Sequence, residues 1–341
     1  MILTYVFKHN RDFSEDLRKA KQVADFGIRH RVLSSKDVKQ FGLKSAISNQ
    51  VLRKYAKNRS CKRAHRVNLI VPSQSVRVDT HKNTITIPCL DFSFQYQINR
   101  RFKKVNQIEI SKGKAFVSVT VDEEPEKEYK SVIGVDRNTT HHCVVAARPA
   151  TGKVLKLGKS ANHIHTKYKK LRRRFQKRAK LKKSKQVRRR EFNKVQDLNH
   201  KMSRKIVNEA KKTRSKIVLE DLKGIRKKVN KVAKTFRYAL NSWSYYQFEQ
   251  FVRYKAKLLG VPVIKVDPRY TSQQCSRCGL LGNREGKKFH CPHCGVVEDA
   301  DVNAAFVIAL RHKGVLRLPV DRDAGNGSTD TPKEATHKKA V

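Results

Sequence analysis

The sequence predicts two parts: an antiparallel β-rich unit carrying a short helical insertion, then an α/β unit interrupted by a metal knuckle. Three observations predict this. Residues 67–122 alternate apolar and polar at the period of half-buried strands. Three later apolar runs, SVIGVD, SKIVLED and VPVIKVDP, read as strands buried on both faces, with helical stretches among them. Four of the seven cysteines fall in two CxxC pairs late in the chain.

Residues 1 to about 8 alternate like a strand. SEDLRKAKQVADFGIRH and SSKDVKQFGLKSAISNQVLRKYAKN then read as two polar-rich helices, an insertion at about 12–60, with Ser14 and Ser34 or Ser35 as caps beside following acids. SVRVDT, NTITIP, FSFQYQI, VNQIEI and KAFVSVTV are β-rich, and HKN and SKGK supply turn signals, so an antiparallel barrel or sheet is expected. DEEPEKEY (122–129) reads as a linker, which sets the units at 1–125 and 130–312. In the second unit HHCVVAAR and KVLKLG continue as strands. Helical pattern then runs to about Lys212, and SYYQFEQFVRYKAKLLG reads as a further helix with Phe248, Phe251, Val252 and Leu259 on one side. The helix DVNAAFVIAL follows the cysteines. Residues 313–341 read as a disordered basic tail.

The 341 residues include 78 Lys and Arg against 29 Asp and Glu, so the net charge is 78 − 29 = +49. Charge of that size attracts polyanions, nucleic acid before anionic membrane. No apolar run approaches the roughly 18 residues a membrane span requires. The N-terminus lacks the pattern of a secretory signal. One cysteine cluster with three scattered cysteines (Cys61, Cys89, Cys143) suits a reducing cytoplasm rather than a disulfide scaffold.

Cys275-x-x-Cys278, twelve residues, then Cys291-x-x-Cys294 is the spacing of a four-cysteine zinc ribbon, at about 270–297. It favours zinc over a redox pair or an iron–sulfur site. Four sulfurs close the shell, so the Zn²⁺ is expected to be structural and His290 and His293 to be neighbours. Gly279 and Gly295 relax the backbone just past each knuckle.

Asp136 ends SVIGVD, Glu220 ends KIVLE, and Asp301 stands at the start of DVNAAFVIAL. Acids at strand ends collect at one edge of a mainly parallel sheet, and a helix start can add a third. Three such carboxylates suit Mg²⁺ or Mn²⁺, and two ions can activate water against a phosphodiester. On pattern alone, strand-end and cap acids are an equal reading. Asp299 reads as a cap.

GVDRN, LEDLKGIR, WSYYQFEQFVRYKA, VDPRYTSQQCSRCG, HCPHCG and DADVNAAFVIAL, in this order over about 130–312, resemble the TnpB family. These are RNA-guided nucleases encoded by insertion sequences, relatives of the type V CRISPR effectors. The resemblance implies a RuvC-type nuclease of RNase H-like fold, with the zinc ribbon before the last catalytic helix and a β-barrel with a helical insertion ahead of the nuclease. It implies Asp136, Glu220 and Asp301 as catalytic Mg²⁺ ligands, a guide RNA from the transposon end, and a double-stranded DNA target beside a short motif. Base pairing then carries specificity. Only 135 residues precede Asp136, so the helical lobe is expected to be reduced. A non-cleaving RNA-guided regulator and a transposase acting on element ends are the alternatives. A DNA-bound, nucleoid-associated location in a prokaryotic cytoplasm goes with the leading reading.

Residues 166–190 hold 15 Lys or Arg and no acid. Lys169, Lys170, Arg172, Arg173, Arg174, Lys177, Arg178, Arg188, Arg189 and Arg190 are the expected contacts to nucleic-acid phosphates. Trp243, Tyr245, Tyr246 and Phe248 sit at helical spacing and read as core before base-stacking groups. His141, His142, His163 and His165 read as phosphate contacts or surface rather than a second metal site. Lone Cys61, Cys89 and Cys143 read as buried small apolar groups.

Overall fold

The computed structural model describes residues 1–138, 142–222 and 245–319. The chain divides into two compact units, Met1–Glu123 and Glu124 onward. The tail beyond 319 and the segment 223–244 lie outside the described residues.

In the first unit, strand β1 (Ile2–Lys8) leads into helix α1 (Ser14–His30). Ala20, Val23, Ala24, Gly27 and Ile28 are its buried stripe, at the spacing of one helical face. A side chain on Gly27 would begin 2.4 Å from Leu52 Cδ2, so glycine permits close packing on α2 (Ser45–Tyr55). Two expectations are corrected here. Ser14 does not cap α1; Asp12 Oδ1 accepts from the Ser14 amide at 2.9 Å and from its hydroxyl at 2.6 Å. The second predicted helix is split: Ser34 caps a 3₁₀ segment, Ser35–Phe41, and Gly42 stops it at φ 63° before α2 begins. Glycine adopts that left-handed conformation without steric penalty.

The remaining strands of this unit are β2 (Leu69–Pro72), β3 (Arg77–Asp79), β4 (Thr84–Ile87), β5 (Phe92–Gln95), β6 (Phe102–Ser111) and β7 (Lys114–Val121). The expected barrel takes the form of two separately hydrogen-bonded antiparallel sheets, β1-β7-β6-β2 and β3-β4-β5. Strand β7 keeps the predicted alternation: Ala115, Val117, Val119 and Val121 are all buried, between more exposed residues.

The second unit holds a five-stranded sheet built from β8 (Ser131–Arg137), β9 (Val144–Arg148), β10 (Lys153–Leu157), β11 (Ser215–Glu220) and β12 (Val263–Val266), in the order β10-β9-β8-β11-β12. The first three strands in sequence pair antiparallel, and β8-β11-β12 run parallel. Among the described residues the unit's helices are α3 (Ala161–Lys177), α4 (Leu181–Lys212), α5 (Tyr245–Lys257) and α6 (Ala300–His312). Period 2 sends Ile133, Val135, Ile217 and Leu219 to one face, into a core with Met202, Ile206, Phe248 and Val252 of α4 and α5. Val132 and Val218 go to the other face, against Ile308 and Ala309 of α6. Gly134 lies on that face too, where an added Cβ would stand 2.1 Å from the Ala305 carbonyl oxygen. Only glycine lets α6 lie this close.

Strand β12 is half-buried rather than fully buried because it is the sheet's edge. Helix α5 stops at Lys257, so Leu259 falls beyond it. Phe248 is fully buried as expected, but Tyr246 is 72% exposed and does not belong to the core. Trp243 and the Tyr245 side chain lie outside the described residues. Among the lone cysteines Cys143 is buried, while Cys61 and Cys89 are only half-buried. No helix among the described residues is long and apolar enough to cross a membrane.

Candidate active site and metal knuckle

Asp136 shares the side-chain parity of Val132 and Gly134, and Glu220 shares that of Val218. Both acids therefore end adjacent parallel strands on the face that α6 covers, and α6 brings Asp301 in its first turn. Their exposures are 7%, 7% and 3%. Burial, then the negative charges of Glu220 and Asp301, push the Asp136 carboxyl up to about 8, against the amide of Asn138, which donates to Oδ2 at 2.7 Å. Burial likewise raises Glu220. It is opposed by the Thr271 hydroxyl, which donates to Oε1 at 2.5 Å, and by the charges of Arg137, Arg311 and Arg284.

Arg137, next to Asp136, donates through Nη2 to the Glu220 carbonyl oxygen at 2.5 Å and through Nη1 to Glu249 Oε2 at 3.3 Å. It ties the ends of β8 and β11 together. Asp301 is engaged differently: Arg284 Nη2 donates to Oδ1 at 3.1 Å, and Lys287 Nζ meets Oδ2. Asp299 caps α6, accepting at Oδ1 from the amides of Asp301 (2.9 Å) and Val302 (3.3 Å), and its Oδ2 pairs with Lys156 at 2.7 Å. The two aspartates thus have separate jobs. Oxygen-only donors, two of them raised by burial against the pull of nearby arginines, are the donor set of a hard divalent cation.

Among the described residues, the group whose ligand atoms close within 4.8 Å of one another is Cys275, Cys278, Cys291 and Cys294. Sγ atoms of Cys275 and Cys294 lie 3.6 Å apart, and those of Cys278 and Cys291 3.5 Å. Two similar turns build this site. The amides of Gly279 and Gly295 donate to the carbonyls of Cys275 (3.0 Å) and Cys291 (2.9 Å), with both glycines at positive φ, 82° and 71°. Four thiolates this close can hold a tetrahedral Zn²⁺. His290 and His293 are not in the group. Strands β13 (Asn283–Glu285), β14 (Lys288–His290) and β15 (Val297–Asp299) form the knuckle's sheet, and Phe289 packs with Cys275, Cys291 and Ala300. Asn303 joins the knuckle to α6: its Nδ2 donates to the Gln274 carbonyl at 2.7 Å and its Oδ1 accepts from the Ser276 amide at 2.9 Å.

The basic run is divided between α3 and α4, with Ala179 at φ 51° in the break. Lys170, Arg173, Arg174, Lys177, Arg178, Arg188, Arg189 and Arg190 are exposed, and Lys169 is half-buried. Arg172 departs from its expected role. It is paired with Glu191 Oε2, while His165 Nδ1 lies 2.8 Å from Oε1 of the same buried carboxylate. Both groups join α3 to α4 instead of facing phosphate, so His165 is core rather than surface. His163 is exposed and His142 half-buried; His141 lies outside the described residues.

Thr271, Arg284, Lys287, Arg137 and Asn138 surround the acids and were not singled out by sequence. GVDRN carries a signal for Arg137, since an Arg at the end of an apolar strand needs a buried anion or carbonyl.

Residues 245–308 match the family described as Cas12f1-like, TNB domain. A TnpB-like protein of Methanocaldococcus jannaschii is 40% identical over 127 residues, which is 37% of this chain and 46% of that protein. A CRISPR-associated endodeoxyribonuclease Cas12f1 of Sulfoacidibacillus thermotolerans is 45% identical over 116 residues, 33% of this chain and 26% of that protein. The matched segment thus spans less than half the length of each of these relatives. A cryo-EM structure of a Cas12f1–sgRNA–target DNA complex covers 91% of this chain and 99% of its own, at 16% identity and a TM-score of 0.46. The sequence matches bear out the resemblance to the TnpB family read from the motifs.

Proposed function

From that resemblance, we propose that the chain is an RNA-guided DNA endonuclease whose RuvC-like, RNase H-like unit hydrolyses phosphodiester bonds of guide-matched double-stranded DNA. The observation that supports the proposal is the burial of three carboxylates, at the ends of β8 and β11 and the start of α6, with Glu220 and Asp301 acting electrostatically on Asp136, in a protein of charge +49. Buried acids in so basic a chain are poor phosphate contacts and good cation ligands. Asp136, Glu220 and Asp301 would hold Mg²⁺ or Mn²⁺. Such ions supply an activated water and positive charge for the leaving oxygen.

The chain's own groups prepare the site. Thr271 fixes one oxygen of Glu220, Arg137 fixes the strand end that carries it, and Asp299 holds the helix start that presents Asp301. Thr271→Val, which keeps the shape and removes the donor, is expected to lower the cleavage rate about tenfold, near the effect of one lost charge-assisted hydrogen bond, with the melting temperature little changed. Single-turnover cleavage checks this; an unchanged rate would remove Thr271 from the site.

The pH dependence of stability follows from Asp136. Its folded pKa, about 8, lies above the ordinary 3.8, so in metal-free protein its ionisation weakens the fold progressively as pH rises through that window. Asp136→Asn is expected to raise the metal-free melting temperature by about 5 °C at pH 8.5 and hardly at all at pH 4. A pH-independent gain, or a loss at pH 8.5, contradicts the assigned burial and repulsion.

A second reading, a non-cleaving RNA-guided binder, is favoured by the pairing of Asp301 with Arg284 and Lys287, which occupies its carboxylate. Purified protein with its RNA, given matched duplex and Mg²⁺ or Mn²⁺, separates the two: cut DNA supports the nuclease, bound and intact DNA the binder.

A further inference from the structure

We propose that the cleft between α4 and α5, which shares no residue with the candidate active site, binds the sugar–phosphate backbone of a nucleic-acid strand. The cleft has a volume of about 620 Å³ and is lined by Lys201, Arg204, Lys205 and Lys212 of α4 and by Lys255 of α5. The α4 cations recur at helical spacing along one face and are all exposed. They span about 16 Å of helix, at 1.5 Å per residue, longer than any single phosphate group. A row of that length suits consecutive phosphates of a strand. The one acid in the lining, Glu209, is already paired with Lys153 at 2.7 Å.

Lys255 is the informative group. Its side chain is 2% exposed, yet among the described residues no carboxylate pairs with it. Nζ donates to the His200 carbonyl at 2.7 Å and to Ser203 Oγ at 2.6 Å, and lies 5.6 Å from the ring centroids of Phe251 and Tyr254. These partners are all neutral. Burial, then the charge of Arg204, lower its pKa to about 8. A buried ammonium without a counter-ion is costly, and a phosphate oxygen in the cleft would supply the missing charge. Helix α4 also carries Arg188, Arg189 and Arg190, so the cleft extends the exposed basic run toward the helix C-terminus.

This inference rests on the nucleic-acid reading but not on cleavage. The test uses full-length protein carrying Arg204→Gln with Lys205→Gln, and separately Lys255→Met, with mixed-sequence single-stranded RNA and mixed-sequence duplex DNA titrated over a range of KCl. Both substituted residues of the double variant are exposed, so its fold is not at risk; Lys255→Met removes a buried charge and keeps the aliphatic stem. The double variant should bind about tenfold more weakly and lose about 1.4 in the slope of log affinity against log salt for RNA, or about 1.8 for DNA, as two phosphate contacts disappear. Lys255→Met should also lower affinity, with no fall in melting temperature. An effect confined to RNA identifies RNA as the occupant, and one confined to DNA identifies DNA. Unchanged affinity and slope for both probes, in both variants, overturns the proposal. Absence of guided cutting by the wild-type protein, with these slope changes still seen, would instead count against the nuclease reading alone.

Discussion

Asp136→Ala is expected to reduce DNA cleavage by about a thousandfold or more while leaving RNA binding within about twofold of wild type. The magnitude follows from the several kcal/mol that a bound divalent ion contributes at a developing phosphoryl charge, each 1.36 kcal/mol being tenfold in rate. The selectivity follows from position. Asp136 is 7% exposed at the end of β8, whereas the exposed cations of α3 and α4 are far along the chain and keep their charge. Removing the carboxylate also relieves Glu220 and Asp301 of a repelling neighbour, so the variant should fold at least as well. Cleavage and filter binding measured on one preparation decide it. Loss of RNA binding in step with cleavage would make Asp136 a structural residue, and full cleavage would remove it from the chemistry.

Removing the knuckle's metal is expected to have the second large effect. Structural four-cysteine zinc sites contribute about 10–16 kcal/mol to the folding of their modules. Here the module has little else: Phe289 packs with two of the cysteines and Ala300, and its three strands each have three residues. Cys291→Ser, or a strong chelator, should therefore unfold the module and lower the melting temperature by about 10 °C or more. Cleavage should fail as well, because Asn303 holds the Gln274–Ser276 backbone only two residues along α6 from Asp301, and Arg311 reaches Gln274 Oε1 at 2.8 Å from the same helix. Metal analysis should find one zinc per chain in the wild type. Zinc-free protein with unaltered melting and cleavage would contradict the assignment.

The features legible in sequence are those whose signal is local. Two CxxC pairs with glycines behind them describe a complete ligand set, and the structure brings the four sulfurs together. Apolar runs ending on acids placed Asp136 and Glu220 at the ends of strands, where the structure has them, and the Asp299 cap was readable from its place ahead of the helix. What escaped depends on partners distant in sequence. Thr271 meets Glu220 across 51 residues, and Arg137 meets Glu249 across 112. Arg172 looked like its exposed neighbours in a basic run, yet the buried Glu191 turns it inward. The barrel became two sheets because alternation gives the faces of strands and not their pairing partners. Gly42 was a readable stop inside a helical pattern, and Ser14 became the first residue of α1 rather than its cap, with its amide and hydroxyl bound to Asp12.

The most direct measurement is cleavage guided by the protein's own RNA. The RNA that co-purifies with the chain is sequenced, and duplex DNA matched to it is compared with duplex scrambled over the same stretch, in Mg²⁺, with the flanking positions randomised. The predicted result is cutting of the matched duplex alone, abolished by EDTA. Cutting of both duplexes alike, or of neither in Mg²⁺ and Mn²⁺, would contradict an RNA-guided endonuclease.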